Sequence, residues 1–271
     1  MNQSKSKISF RRSVIIYTVL TVLALIWMYP IIIALMKSFT IEGLNNYKYV
    51  LTYEKINYFR VICNSLIIAI VTSVGVAAVT TLAGYAFSKM HFRGQRFLFI
   101  AVLVCLALPV AAVTMPIFFT LVKLKCIDSL IGVIIPLIAF NVPQMLLIVK
   151  NYFDGIPNEL LESAKIDGAS TFRTYRVIML PLAKPILAST MVLTFVYSWN
   201  DYLVPLLIIR SESNYTVTLA AQFFMASTYQ SPLDVAHLYA AMILLTLPSV
   251  IIYLLSQKHL QAGITAGAVK G

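Results

Sequence analysis

The sequence predicts an all-α membrane protein with six transmembrane helices and both termini in the cytoplasm. Composition gives the class: 60% of the 271 residues are hydrophobic and 11% charged, against roughly 25% charged in a soluble domain. Run length gives the number of spans. Six apolar runs, near residues 13–36, 61–86, 97–122, 130–150, 185–209 and 236–256, each reach the roughly 20 residues a helix needs to cross about 30 Å of hydrocarbon. Charge placement gives the orientation. With six spans, the segments between runs alternate sides; the side that carries both termini, 87–96 and 150–184 holds fourteen Lys and Arg, and the other side seven. Basic residues stay in the cytoplasm, so that side is inside. The net charge of +11 is then an insertion signal rather than a nucleic-acid footprint, and no nucleic-acid partner is expected.

The first run follows a basic leader, MNQSKSKISFRR. It is too long for a signal-peptide core and lacks an A-x-A cleavage site, so it reads as a retained span. The outer segments 37–60 and 210–235 are rich in Tyr and Asn, which fits an aromatic belt at span ends or a docking surface for an external partner. The fourth run, IGVIIPLIAFNVPQMLLIVK, contains Pro136, Asn141, Pro143 and Gln144. Broken backbone at membrane depth is tolerated where it lines a wet cavity, so Asn141 and Gln144 are candidate pathway residues; kinks and helix packing are the other reading. In the fifth run Asn200 and Asp201 lie roughly 23 Å from the inner edge. Asp201 is the one acidic residue placed inside a span, and a charged group there is a functional candidate, with a structural hydrogen bond as its alternative.

Three cysteines (Cys63, Cys105, Cys126) form no C-x-x-C, and three scattered histidines have no ligand spacing, so no metal site is expected. The closing GITAGAVKG lacks the Gly-Lys-Ser/Thr core of a P-loop. An enzyme would need convergent nucleophile, base or metal groups, and none is visible. An ion-coupled secondary transporter, the alternative class, commonly carries several buried ionisable groups.

The most polar segment lies between the fourth and fifth spans: ELLESAKIDGASTFRTYRVIMLPLAKP, residues 159–185. Pro157 suits a first helical turn, and Glu159 and Glu162 put negative charge at the positive end of the helix dipole. Gly168 stops that helix. Leu160, Ala164 and Gly168 recur every four residues and predict one narrow face that another backbone can approach. Ser170 caps a second helix whose Phe172, Tyr175 and Met179 share a face, and Pro181 and Pro185 bracket the return to the membrane. Two short helices outside the bilayer make a docking tip, or else a loop resting on the headgroups.

The order Glu162-Ser163-Ala164, three residues, Gly168, nine residues, Ile178, one residue, Leu180-Pro181 resembles the EAA signature of ABC importer permeases, with Ser163 where Ala is usual. The run at 156–188, SWNDYLVPLLI at 198–208 and the closing QAGITAGAVKG are similar to MalG-type carbohydrate permeases. The resemblance covers roughly residues 30–271 and implies a type I ABC importer (MetI-like) permease fold. It implies a leader, first helix and outer loop over 1–59, a permease core over 60–256 with its EAA loop at about 151–184, and a cytoplasmic tail over 257–271. Glu159, Leu160, Glu162, Ser163, Ala164, Asp167, Gly168 and Ala169 would then seat in a separate ATPase, and Gly263, Gly267 and Lys270 would reach the same dimer. The implied partners are a second permease subunit, a cytoplasmic ATPase dimer and an external solute-binding protein. ATP and Mg would be used by the ATPase, and no cofactor is expected on this chain.

Overall fold

The computed structural model describes residues 2–227 and 231–268, and every described element is helical. The chain divides into two compact units, residues 1–52 with 223–244, and residues 53–222 with 245–271. Four straight helices are long and apolar enough to cross a membrane, and two bent helix pairs bring the number to six.

In the first unit, α1 (Asn2–Ser38) runs through Pro30 as one helix, and its described apolar stretch is exposed throughout. The chain then turns back on itself. Asn46, on the short α2 (Asn45–Leu51), is fully buried and its Nδ2 donates to Ser38 O at 2.9 Å and Thr40 O at 2.8 Å. Ser38 Oγ shares a 2.6 Å hydrogen bond with Tyr47 Oη. The ring of Tyr49 stacks on that of His237 at 3.9 Å. These tyrosines are therefore packing groups of a folded turn rather than a belt alone.

The second unit is built on two long helices, α3 (Tyr58–Lys89) and, after the third span, α6. α3 buries small and polar residues alongside Val61, Ile68, Val76 and Tyr85. Its buried positions include Ser65, Thr72, Ser73, Thr80, Thr81 and Gly84, whereas Ile67, Ile70, Val74 and Leu82 face outward. Lipid is as apolar as isoleucine, so burying large aliphatics gains little; small residues are buried because they let backbones approach and maximise dispersion contact. Thr80 and Ser73 return their hydroxyl protons to the carbonyls of Val76 and Ala69, which satisfies them without water.

The third span is not the single rod expected over 97–122. It consists of α4 (Gln95–Val104), a tight turn at Cys105–Ala107 and α5 (Val110–Lys123), bent by 106°. Pro109 is the cause: it offers no N–H and disfavours helix in the residue before it, and Leu108 is accordingly extended (φ −78°, ψ 121°).

The fourth span corrects the expectation of a broken helix. α6 (Leu130–Asp154) passes unbroken through Pro136 and Pro143. It packs along α3, where Gly75 lies under Ile138 and Gly84 under Val149 and Phe153, and that lateral support holds a helix which two prolines would otherwise weaken.

After α6 come α7 (Glu159–Ile166), α8 (Thr171–Thr174), a wide π turn at Tyr175–Met179 and α9 (Leu180–Leu182). A 73° bend then leads into α10 (Lys184–Asn200). The apolar run expected to span 185–209 as one helix stops at Asn200, and α11 (Leu203–Ile208) starts afresh. The outer segment 210–235 is not a plain loop either. It contains α12 (Val217–Ser227), whose Val217, Leu219 and Ala220 are buried. The last helix, α13 (Pro232–Ala268), continues past the sixth apolar run.

Candidate coupling site

α7 carries two acidic residues and a lysine in its eight residues, and both of its ends are built by local rules. Glu159 and Glu162 lie in its first turn and Lys165 in its last, matching the helix dipole. The helix opens at Glu159, with Pro157 just outside it. At the other end Ala169 N–H donates to Ala164 O at 2.9 Å and Gly168 N–H to Lys165 O at 3.1 Å, while Gly168 has φ +76°. This is the paired 6→1 and 5→2 closure that a left-handed glycine makes possible, so Gly168 ends the helix as expected. Ser163 Oγ donates back to Glu159 O.

The face expected from Leu160, Ala164 and Gly168 divides. Ala164 is buried against the chain's own core, whereas Leu160 is exposed and a Cβ on Gly168 would meet nothing within 4 Å. The outward ridge therefore carries Glu159, Leu160, Glu162, Ser163, Asp167 and Gly168, with Ala169 half-buried at its edge. It also carries Ile166, 87% exposed. Sequence reading passed over Ile166; the signal was a large aliphatic residue off the Leu161–Ala164 face of an otherwise charged helix. With Leu160 it gives an otherwise charged helix two exposed large aliphatic side chains.

The second short helix needs one correction. Ser170 does cap it, its Oγ accepting from Arg173 N–H. Tyr175 and Met179 are buried, but Phe172 is 65% exposed. A π turn follows at Tyr175–Met179 and shifts the register between those two residues.

Beneath the ridge lies a fixed base. Tyr85, Val149, Phe153, Tyr175, Met179, Ala183 and Ile186 form one apolar cluster drawn from α3, α6, the π turn and α10. Polar bonds rim it. Lys89 Nζ, at the end of α3, donates to Ile156 O at 2.6 Å and Asn158 Oδ1 at 2.8 Å. Asp154 accepts from Ser88 Oγ at 2.7 Å and pairs with Lys150 at 2.7 Å. Tyr152 Oη donates to Leu182 O. Two of the four residues that connect α6 to α7, Ile156 and Asn158, are thus held by a cation from α3. Replacing Lys89 with Met removes that donor, and hydrogen bonds to charged groups contribute about 1.5–3 kcal/mol each before solvent screening. Amide exchange across residues 156–168 is then expected to rise about tenfold, with the middles of α3 and α6 unchanged.

The four candidate pathway residues are not brought into one polar site. Asn141 is buried, with its Nδ2 donating to Leu137 O at 2.8 Å. Gln144 is exposed, and Asn200 is exposed with its Nδ2 on Val196 O. Asp201 Oδ1 accepts from Val204 N–H at 3.0 Å and its carbonyl from Thr218 Oγ1 at 2.8 Å, so its carboxylate caps the start of α11 and occupies the break in the fifth span. Of the tail residues, Gly263 and Gly267 lie on the backbone of α13, and Lys270 lies outside the described residues.

The model of the family described as "Binding-protein-dependent transport system inner membrane component" matches residues 77–266, from the middle of α3 to the end of α13. The chain belongs to that family. It is 32% identical over 231 residues to the arabinooligosaccharides transport system permease protein AraQ of Bacillus subtilis, covering 85% of this chain and 80% of that relative. It is 33% identical over 228 residues to the trehalose/maltose transport system permease protein MalG of Thermococcus litoralis, covering 84% and 81%. A crystal structure of a bacterial ABC transporter that imports the acidic polysaccharide alginate contains a chain of the same fold, with a TM-score of 0.76, 21% identity, and coverage of 92% of this chain and 96% of that one. The chain is accordingly a multi-pass plasma-membrane permease of an ABC transport system with the MetI-like fold, and its relatives are transport components rather than enzymes.

Proposed function

We propose that this chain is the membrane subunit of an importer that moves a carbohydrate delivered by an external solute-binding protein, with a separate cytoplasmic ATPase dimer docking on residues 159–170. The sugar assignment is supported by relatives named for arabinooligosaccharide, trehalose/maltose and maltodextrin transport. The observation that carries the coupling assignment is the α7 ridge itself. A charged helix outside the spans, with Leu160, Ile166 and a bare Gly168 turned outward, is anchored underneath by an apolar cluster and by Lys89. A surface that is both exposed and rigidly based transmits a push, whereas a loop resting on headgroups needs no such base.

ATP and Mg then belong to the partner. This chain is the lever and wall, paired with a second permease subunit, its termini in the cytoplasm, with Gly263, Gly267 and Lys270 near the ATPase dimer. Asn141, Gln144, Asn200 and Asp201 remain pathway candidates, Asp201 through the helix break it caps. Ion coupling is less well supported, because that carboxylate is already engaged by Val204 N–H. Uptake by the complex in proteoliposomes is expected to require internal ATP, to stop with vanadate and to survive an ionophore. A cross-linker placed at Ile166→Cys is expected to capture the ATPase. Uptake that collapses with the ionophore and ignores ATP would establish the secondary-transporter reading instead.

A further inference from the structure

A second polar knot lies at the end of α6 farthest from α7, about 37 Å away for a helix of this length. Asp128 sits just before α6 and gathers a distant segment around itself. Its Oδ1 accepts from the backbone N–H groups of Arg210 at 3.0 Å and Ser211 at 2.9 Å, and its Oδ2 from the Ser211 hydroxyl. Asn214 Nδ2 donates to its carbonyl at 2.7 Å and to Oδ1 at 3.3 Å. Its own N–H donates to Ile208 O at 2.9 Å. The backbone is left-handed there (φ +56°), a conformation Asp tolerates better than most residues. The Ser211 hydroxyl, then the N–H groups of Ser211 and Arg210, hold the carboxyl well below the usual carboxylate range. A depressed value means that this stabilisation is in force above the ordinary carboxyl pKa and is lost only as pH falls through the lower folded value. The knot is therefore fully charged at neutral pH.

The same segment is bonded to α3. Asn64 Nδ2 donates to Ser213 O at 2.9 Å and Tyr215 O at 3.1 Å, and Ser65 Oγ accepts from Val217 N–H at 2.9 Å. At their other ends α3 and α6 meet again through Ser88–Asp154 and Lys89–Ile156. Residues 208–217 are thus attached to the starts of the two helices whose far ends carry α7. Covalently they are attached to α10 across the break at Asp201. Ile208 and Ile209 pack on Val133, Ile134 and Leu137 of α6, and beyond them the Asp128 knot carries the hold of α6 on to residues 210–214.

We propose that Asp128 is a positioning residue for transport, making segment 208–217 move with α6 so that displacement of α7 on one face of the membrane reaches the other. This rests on the reading of α7 as the ATPase dock. The test uses the complex purified through this chain, its three cysteines replaced by serine, with a nitroxide at Glu212→Cys, an exposed position. The readout is the change in line shape between the nucleotide-free state and ATP–Mg–vanadate. With Asp128 present a clear change is expected. In Asp128→Ala it should fall at least fivefold while the amount of trapped nucleotide stays the same. Asp128→Asn keeps one oxygen acceptor and the left-handed backbone but loses the charge, and should respond in between. A full response in Asp128→Ala overturns the proposal, as does loss of nucleotide trapping along with the response, which would make Asp128 an assembly residue. If the alanine chain fails to assemble, a full response in Asp128→Asn overturns it. An unsubstituted complex that traps nucleotide but shows no change at position 212 overturns it too. An unsubstituted complex that traps no nucleotide overturns the docking of α7 instead.

Discussion

Gly168→Leu is expected to insert, assemble and accumulate normally while ATP-driven uptake falls by more than tenfold. Two effects act at this position and they differ in size. The left-handed backbone (φ +76°) costs a non-glycine residue about 1–2 kcal/mol, and that cost falls on a short external helix rather than on the transmembrane core. The side chain itself meets nothing of this chain within 4 Å, so it adds no internal clash. What it does is project bulk from the ridge that also bears Leu160 and Ile166, which under the docking proposal is where a partner backbone comes close. Gly168→Ala carries the same backbone strain with little bulk, and Gly168→Asn tolerates the left-handed conformation better. If docking is the mechanism, uptake should follow side-chain volume, with Ala and Asn well above Leu. If conformation is the mechanism, Ala should fall below Asn. The measurement is uptake in proteoliposomes with the amount of co-purified ATPase as control. Normal uptake by the Leu chain with normal ATPase assembly would end the docking assignment.

The opposite behaviour is expected at Gly132, where alanine alone should sharply lower both the accumulation and the thermal stability of the folded chain. A Cβ there would lie on the Cys126 carbonyl, with the Cys126 carbonyl carbon at 3.1 Å and Ile208 Cγ2 at 3.2 Å. The obstacle is backbone that cannot rotate away, because Ser129 Oγ holds the Cys126 carbonyl at 2.7 Å and also accepts from Gly132 N–H. To admit one methyl group the turn at 124–129 must lift off α6. That sacrifices the Asp128–Ile208 backbone bond and strains the bonds of Asp128 to Arg210, Ser211 and Asn214. At about 1 kcal/mol per hydrogen bond, and more for those to a charged group, the loss exceeds ~3 kcal/mol. Thermal unfolding of the purified complex measures it; a midpoint unchanged by Gly132→Ala would show that the turn is free to move. By contrast Gly75, whose Cβ would meet Ile138 Cδ1 at 2.7 Å, faces the far end of a half-buried side chain, and alanine there should cost far less.

Much of this was written in the residue order. Apolar run length specifies a chain of four to six spans, because crossing hydrocarbon imposes a minimum length. The boundaries of α7 were legible because helix ends obey local chemistry: Glu159 and Glu162 at the start, a left-handed Gly168 at the stop, Ser170 as the next cap. Pro109 was an equally local signal for the bend in the third span. Tertiary structure alone decided other features. Pro136 and Pro143 do not break α6, because α3 packs along it and a proline's effect depends on what supports the helix from the side. Phe172 is exposed while Tyr175, three residues on, is buried, because which side of that short helix is covered depends on the elements packed against it. The Asp128 knot joins residues 82 and 83 positions apart. Spacing rules act over a few residues, so a carboxylate that pins a distant strip of backbone becomes visible only when the helices have packed and brought the two turns together.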